Sequence, residues 1–316
     1  PRGACRADGQ PSTISLNPTC IVTEAMQGQD PHGRLRESVA QLIQQKGADL
    51  SLLDALPKRW EKFADVVLFQ RDSFSEEEWG SIFGPELWTA VATALKVERI
   101  GRVSEIVGER REPTVEILLG EEDWVVRREN GVDYGYNLTE CMFSAGNVNE
   151  RRRMGEVVEE GEVVLDLYAG IGYYTLPILL HSQAEHVHCC EWNPNAVKAL
   201  EANLKANGVS SRCSVYFGDN RVTTAHMGGV ADRVILGLLP SSQDGYAIAM
   251  RALAQAGGVL HLHGVAPAKD HSSWADVVMD QLRSTDANRS IEAGLPIRVK
   301  SYAPHWDHVV LDVLVR

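Results

Sequence analysis

The chain has 316 residues and a net charge of −12, and it is 44% hydrophobic and 23% charged. That balance is typical of a globular protein with a buried core, and the length allows one large domain or two ordinary ones. No run of about 18 apolar residues occurs, so the sequence predicts no membrane-spanning helix. The negative charge argues against broad, non-specific adhesion to nucleic acid but leaves room for a local basic face.

The cysteines and the first residues indicate an intracellular setting. No C-x-x-C pair occurs among the six cysteines, so we expect reduced structural thiols and no metal site. Cys189 and Cys190 are adjacent in an apolar strand and are expected to face opposite sides of a sheet. The small, polar first residues do not have the pattern of a secretory signal. The cysteines are Cys5, Cys20, Cys141, Cys189, Cys190 and Cys213.

The first half of the chain predicts a poorly defined segment over 1–50 and a small α+β domain over 51–140. The segment contains one amphipathic helical pattern, closed by Gly47. Asn130 and Gly131 form a dipeptide typical of hairpin turns. The predicted elements are a helix over 35–47, a strand after the basic stretch 57–63, a helix over 75–95 that begins with a Ser cap and acids, and alternating strands over 98–140.

The second half, 141–316, alternates between strand and helix patterns. Such alternation predicts an α/β fold, a doubly wound parallel sheet with helices on both faces. The closing stretch 297–316 reads as two strands around a Pro-His turn, which fits an antiparallel hairpin at the sheet edge. The predicted strands are 162–168, 186–192, 213–218, 232–239 and 258–263, and the predicted helices are 174–182, 195–206, 244–255 and 273–284.

A glycine turn follows the first of these strands. Gly170 and Gly172 form a G-x-G, but the third glycine of a dinucleotide-binding loop is absent. Asp166 stands four residues before Gly170. An acid beside a glycine turn suits S-adenosylmethionine, which carries a sulfonium, an amino acid end and a ribose, and has no phosphate. Taken alone, Asp166 has a second interpretation as a capping acid for the turn.

Acids also end the next two strands. Glu191 follows Gly170 by 21 residues, the spacing at which an acid reaches ribose hydroxyls. Asp219 and Asn220 end the third strand, where an acid and an amide suit the amino group and ring nitrogen of adenine. Together these acids predict an S-adenosylmethionine site, although Glu191 alone also fits a solvated strand end. Trp192 reads as a packing residue, with stacking on adenine as the alternative.

Several of these stretches resemble one family. "LDLYAGIGYYTLP", "CEWNPNAVKALEANLKANGV", "FGDNR", "ADRVILGLLPSS" and "VKSYAPHWDHVVLD" are similar to the tRNA wybutosine-synthesizing protein 2 family. The likeness covers roughly 55–316 and is weaker between 264 and 297. It implies a Rossmann-like class I methyltransferase sheet over 141–316, preceded by a small tRNA-binding-type domain.

The resemblance also implies an unusual reaction. This family transfers the 3-amino-3-carboxypropyl group of S-adenosylmethionine, in place of the methyl, to 4-demethylwyosine next to the anticodon of tRNA(Phe), and releases methylthioadenosine. A sulfonium has three electrophilic carbons, and the enzyme selects among them by orientation. Cytoplasmic location follows from the family and the absent targeting pattern. No obligate protein partner is implied.

The resemblance assigns cofactor contacts residue by residue. Ser144 and Arg151 are expected to contact S-adenosylmethionine, with Arg151 meeting the carboxylate of its amino acid end. Relatives have a lysine where this chain has Arg151, and a point charge differs in geometry from a guanidinium fork. Arg151 also fits a phosphate contact or a helix-surface charge. Glu191 is expected to bind the ribose, and Asp219 and Asn220 are expected to bind the adenine. The resemblance assigns no general base.

Two departures separate the chain from tRNA guanosine N1-methyltransferases of the same fold, which are the alternative function. Those enzymes carry an arginine where this chain has Gly146, and an Asn-Leu-Pro type loop where it has Gly237-Leu238-Leu239-Pro240. A non-enzymatic RNA-binding protein with a decayed pocket is a third alternative, and the intact acids argue against it. The candidate RNA contacts among basic stretches are 57–63, Arg110, Arg111 and Arg151–Arg153, for which plain surface charge is an equal alternative. His305 and Asp307 could face the target base, but a structural turn is the favoured interpretation for them.

Overall fold

The computed structural model describes residues 30–107 and 112–316, and the chain divides into two compact units. The first comprises the residues up to Arg102 with Ile117–Gly120, and the second comprises Val103–Glu116 with Glu121–Arg316. Residues 121–140, assigned to the small domain from sequence, thus group with the larger unit. Arg110 and Arg111 lie outside the described residues.

Strands β1 to β4 form a sheet in the order β1-β2-β3-β4, and the first unit contains β1, β2 and only those parts of β3 and β4 that lie up to Arg102 and from Ile117 onward. Helix α1 begins at the Asp30 cap and ends at Gly47, whose φ is +65°, as the sequence predicted. The single helix predicted over 75–95 was wrong, because Gly84 has a φ of +135° and Pro85 starts a new helix there. The elements are α1 (Pro31–Lys46), β1 (Trp60–Phe63), β2 (Val66–Phe69), α2 (Glu76–Trp79), α3 (Pro85–Leu95), β3 (Arg99–Val107) and β4 (Glu112–Leu119).

From Glu121 onward, the second unit contains a hairpin followed by alternating helices and strands. The hairpin turns at Asn130 and Gly131, as predicted, with φ values of +50° and +76°. Its elements are β5 (Trp124–Glu129), β6 (Val132–Asn137), α4 (Val148–Val157), β7 (Val163–Asp166), α5 (Thr175–His181), β8 (His186–Glu191), α6 (Pro194–Ala206), β9 (Cys213–Phe217), α7 (Asn220–Thr223), β10 (Arg233–Leu236), α8 (Tyr246–Ala252), β11 (Gly258–Pro267), α9 (His271–Thr285), β12 (Ile291–Ala293), β13 (Ile297–Ala303) and β14 (Trp306–Val315).

The α/β fold predicted from sequence is confirmed. Strands β11-β10-β7-β8-β9 run parallel, and β14 joins β11 in the antiparallel sense. The closing hairpin differs from the expected edge pair, because β14 lies inside the sheet with β12 and β13 on its outer side. Strand β12 has no counterpart in the sequence analysis. No helix of the described ranges is long and apolar enough to cross a membrane.

Candidate cofactor site

The carboxyl ends of the parallel strands meet at one edge of the sheet. Strand β7 ends at Asp166 and β8 ends at Glu191, while Asp219 follows the end of β9 by two residues. Strand β10 ends just before Gly237. Ligands of doubly wound sheets bind outside this edge, so the fold brings the sequence-predicted acids to one side of the molecule.

Asp166 is completely buried at the start of the glycine turn. Its Oδ2 accepts a hydrogen bond of 2.9 Å from Thr175 Oγ1, and its Oδ1 accepts one of 3.3 Å from Tyr168 N. Burial raises the pKa of Asp166 to about 7, and the nearby Glu191 carboxylate acts in the same direction. The carboxyl therefore holds the turn against α5, which agrees with its interpretation as a capping acid, and it titrates close to neutrality.

The turn itself requires glycine at both positions. Gly170 has a φ of +56°, and a Cβ there would collide with the Tyr173 ring. Gly172 has a φ of +99°, and its Cβ would lie 2.8 Å from Leu176 Cγ. Residues that carry a side chain rarely adopt these backbone angles, so the turn needs glycine at both positions, and the missing side chains also let a ligand come close to the backbone.

Glu191 is held by three backbone donors. Its Oε2 accepts from Gly170 N at 2.7 Å, and its Oε1 accepts from Trp192 N at 2.9 Å and from Asn193 N at 2.8 Å. Burial raises the pKa of Glu191, and the three N–H donors oppose that rise because they stabilise the carboxylate. The carboxylate is thus fixed against the glycine turn, and of its roughly four acceptor sites one, on Oε2, is left for a ligand hydroxyl.

Asp219 and Asn220 are adjacent but differently engaged. Asp219 caps α7 by accepting from Arg221 N at 2.9 Å, and the Arg221 guanidinium lowers its pKa. Asn220 Nδ2 donates to Leu167 O at 3.0 Å, which ties the end of β9 to the glycine turn. Trp192 is 44% exposed, so its side chain is partly covered and partly accessible, and both packing and stacking on adenine stay predictions.

Arg151 is buried inside the second unit, with a side chain only 1% exposed. Its Nε and Nη2 donate to the two carboxylate oxygens of Glu129 at 2.6 Å each, and its Nη1 donates to Ser144 O at 2.9 Å. The guanidinium also lies 4.5 Å from the centre of the Phe143 ring. The structure therefore joins Arg151 and Ser144, but the guanidinium faces Glu129, which the sequence analysis did not identify as its partner.

Lys300 is a candidate residue that sequence reasoning missed. Its Nζ donates to Ser144 Oγ, and its side chain packs against Gly146, where an added Cβ would lie 2.8 Å from Lys300 Cδ. Lys300 and Ser144 are 156 positions apart in the chain, so no local sequence pattern could have indicated their contact. The lysine supplies a cation next to Ser144 in addition to the guanidinium of Arg151.

The other candidate RNA contacts have varied surroundings. Trp60 lies 4.3 Å from the His32 ring, between ring centres, and Lys62 Nζ donates to Leu95 O at 2.6 Å, so both stabilise the first unit. His305 occupies the predicted turn with a φ of +68°. Asp307 is buried and accepts from Arg298 Nε at 2.7 Å, which gives it a structural role.

Within the described ranges, no group of three or more His, Cys, Asp or Glu side chains is arranged to hold a metal ion. The described cysteines, Cys141, Cys189, Cys190 and Cys213, are free thiols. Cys189 contacts Thr175 at 3.2 Å and Cys190 contacts Thr223 at 3.7 Å, so they face opposite sides of the sheet, as predicted.

Comparison with known proteins identifies the family. Residues 125–286 match the TRM5/TYW2 methyltransferase domain, and residues 39–123 match the TYW2 N-terminal domain. The chain is 36% identical to the tRNA wybutosine-synthesizing protein 2 homolog of Homo sapiens over 364 aligned positions, covering 97% of this chain and 81% of the relative. It is 43% identical to tRNA wybutosine-synthesizing protein 2/3/4 of Arabidopsis thaliana, covering 90% of this chain but only 29% of that longer protein.

A solved structure agrees with this assignment. The crystal structure of P. horikoshii TYW2 in complex with MeSAdo has a TM-score of 0.74 and 30% sequence identity to this chain, covering 90% of this chain and 98% of that one. Both the sequence and the fold therefore lead to the same group of proteins. The chain belongs to the TRM5/TYW2 methyltransferase family, on the branch of tRNA wybutosine-synthesizing protein 2.

Proposed function

We propose that this chain transfers the 3-amino-3-carboxypropyl group of S-adenosylmethionine to 4-demethylwyosine next to the anticodon of tRNA(Phe), in the cytoplasm. Methylthioadenosine is the by-product. The observation that carries the proposal is the Glu191 carboxylate fixed against Gly170 N at 2.7 Å, at the strand edge where this family of folds binds S-adenosylmethionine. The relative crystallised with MeSAdo supports it.

The described residues fit the donor substrate. We assign Glu191 to the ribose and Asp219 with Asn220 to the adenine, beside the partly exposed Trp192. Asp166 faces the glycine turn, where its ionised form favours a sulfonium electrostatically. Gly170 allows close approach of the donor to the turn.

The amino acid end of the donor falls to the segment that begins at Ser144. Arg151 donates to Ser144 O and Lys300 donates to Ser144 Oγ, so two cations converge on this serine. We assign Ser144, Arg151 and Lys300 to the carboxylate of the donor. Because Arg151 is already bound to Glu129, we expect it to act mainly by fixing the Ser144 segment, with Lys300 supplying the nearer charge.

The transfer needs orientation more than covalent assistance. The bond between the sulfonium sulfur and the γ-carbon of the amino acid chain breaks, and sulfur keeps the electron pair. The γ-carbon bonds to a ring carbon of the base, which then loses its proton. A sulfonium is already a good leaving group, so the chain's contribution is to hold the γ-carbon, not the methyl, towards the base.

Two glycines favour this reaction over guanosine N1-methylation. The Lys300 side chain occupies the space next to Gly146, and the Tyr174 ring lies 2.8 Å from where a Gly237 Cβ would be. The guanosine methyltransferases resembled by this chain place an arginine and an asparagine at these positions. Neither side chain fits here unless Lys300 or Tyr174 moves.

We also propose that 141–316 is the catalytic domain and that 51–140 helps to dock the tRNA. The matches to separate catalytic and N-terminal domain models support two functional parts, although their bounds, 125–286 and 39–123, differ from those predicted. The chain spans less than a third of the plant relative, so any further activity of a longer protein is outside this proposal.

The test is a labelling experiment with tRNA(Phe) from cells that lack this step. Donor labelled in its carboxyl carbon should place label in the RNA and release methylthioadenosine. Label transferred only from methyl-labelled donor, with release of S-adenosylhomocysteine, would favour the guanosine methyltransferase. Binding of the RNA without transfer of either label would support the non-enzymatic alternative.

A further inference from the structure

The tip of the β13–β14 hairpin exposes large ring side chains to solvent. Tyr302 is 41% exposed and Trp306 is 46% exposed, and His305 between them is also exposed. Scattered apolar residues are common on protein surfaces, but two large aromatics within five residues at one turn form a patch. We call Tyr302, His305 and Trp306 the aromatic tip.

The aromatic tip lies at the edge of the sheet that carries the candidate cofactor site. Trp306 is the first residue of β14 and pairs with Pro267, the last residue of β11. Because β11 runs parallel to β10, and β10 parallel to β7, the end of β11 points the same way as the strand end at Asp166. The aromatic tip therefore faces the side from which a substrate must approach the donor.

The hairpin holds these rings in place without burying them. Asp307 is buried and accepts hydrogen bonds from Arg298 Nε at 2.7 Å and His271 Nε2 at 3.1 Å. The pairing of β13 with β14 shifts register between Ser301 and Ala303, which leaves Tyr302 out of the ladder. Bulges of this kind re-aim side chains and are common beside active sites.

The same strand connects the tip to the predicted amino acid subsite. Lys300, two residues before Tyr302, donates to Ser144 Oγ and packs on Gly146. A molecule stacked on the aromatic tip would thus lie on the β-strand that also contacts the Ser144 segment.

We propose that the aromatic tip is a stacking platform for unpaired bases of the RNA substrate next to the target base. This inference rests on the proposed function and deepens it. A base that reacts inside an anticodon loop must leave its stack, and its neighbours lose stacking partners. Aromatic rings replace that stacking and tolerate any base, because every base has a π-face.

Charge favours bases over phosphates as the occupant. The Arg298 guanidinium at the hairpin is paired with Asp307, and the chain as a whole carries −12. Cations supply most of the affinity for phosphates, whereas stacking on aromatic rings does not require them. The exposed rings therefore suit the bases of the loop better than its backbone.

The test measures binding of full-length tRNA(Phe) to the whole chain by fluorescence anisotropy, at several salt concentrations. Trp306→Ala and Tyr302→Ala should each raise the dissociation constant by about 5- to 150-fold, the range for loss of one stacked base. Trp306→Phe should restore most of the affinity. Leu295→Ala, a change at an 88% exposed residue outside the tip, is the matched control and should have no effect.

Two further readouts separate stacking from other roles. The salt dependence of binding should be unchanged in Trp306→Ala, since no phosphate contact is lost, and the affinity for S-adenosylmethionine should also be unchanged. Tip variants that bind RNA as the wild type does would overturn the proposal, as would a reduced salt slope. Loss of RNA affinity in the variants, combined with no label transfer by the wild type, would leave the platform standing and reject the proposed reaction.

Discussion

Replacing Glu191 with alanine tests the cofactor assignment most directly. The carboxylate is fixed by three backbone donors at 2.7–2.9 Å, so its position does not depend on a bound ligand. A ribose hydroxyl that donates to the remaining acceptor site of this charged group contributes about 1.5–3 kcal/mol. Its loss is a factor of roughly 10 to 10² in the dissociation constant of S-adenosylmethionine.

Isothermal titration calorimetry of the wild type and Glu191→Ala measures this change. Glu185→Ala is the matched control, because Glu185 is exposed immediately before the first residue of the same strand and its replacement removes the same charge. Its affinity for S-adenosylmethionine should equal that of the wild type. Both variants are first compared with the wild type by thermal unfolding, since Glu191 also accepts three backbone hydrogen bonds.

The result that would refute the assignment is a folded Glu191→Ala protein that binds S-adenosylmethionine within about threefold of the wild type, which is less than 1 kcal/mol. Glu191 would then be a structural acceptor that stabilises the glycine turn. An equal loss of affinity in Glu185→Ala would also count against it, because the effect would then come from net charge.

Three further predictions follow from buried groups. The pKa of Asp166 is raised to about 7, so between about pH 4 and pH 7 the folded protein holds a proton that the unfolded chain has lost. The unfolding free energy of the wild type relative to Asp166→Asn should therefore fall by about 4 kcal/mol as the pH rises from about 4 to about 7. Denaturant titrations that show a rise or no change would contradict this. Gly237→Asn should displace the Tyr174 ring and cost about 1–3 kcal/mol of stability together with most of the aminocarboxypropyl transfer, and normal transfer in the labelling assay would show that the space is not needed. Replacing either Arg151 or Glu129 with alanine should lower the free energy of unfolding by about 3–5 kcal/mol. In urea unfolding, the double variant should lose less stability than the two single variants added together, whereas strict additivity would mean that the pair is not coupled.

The parts of the site that lie on single strand–turn units could be predicted from the sequence. Asp166 and Gly170 belong to one strand and its turn, and Glu191 ends the next strand, so hydrophobic periodicity and spacing were enough to bring them to one edge. Parallel strands in a doubly wound sheet leave little freedom in where their carboxyl ends meet. The parallel direction of the core strands was predicted from the alternation of strand and helix patterns.

The rest depends on contacts between distant segments. Arg151 binds Glu129, a residue 22 positions away on the hairpin, and Ser144 contacts Lys300, 156 positions away. Nothing in the spacing of a charge indicates which of many opposite charges it will meet. The insertion of β14 inside the sheet escaped prediction for a similar reason, because an apolar strand fits an edge or an interior position equally well until its neighbours are known.

The two substrates of the proposed reaction have opposite charges, and we expect the chain to bind them through different interactions. In the proposed complex the sulfonium donor lies beside the buried Asp166 and the half-buried Glu191, whose fields are little screened by salt. The RNA polyanion must approach the same edge in a protein of net charge −12. Acids that attract the donor repel phosphates, so uncharged rings such as Trp306 can add affinity there without opposing the donor. Aromatic stacking of RNA bases and binding of the cationic donor by acids can therefore occur at the same edge of the sheet.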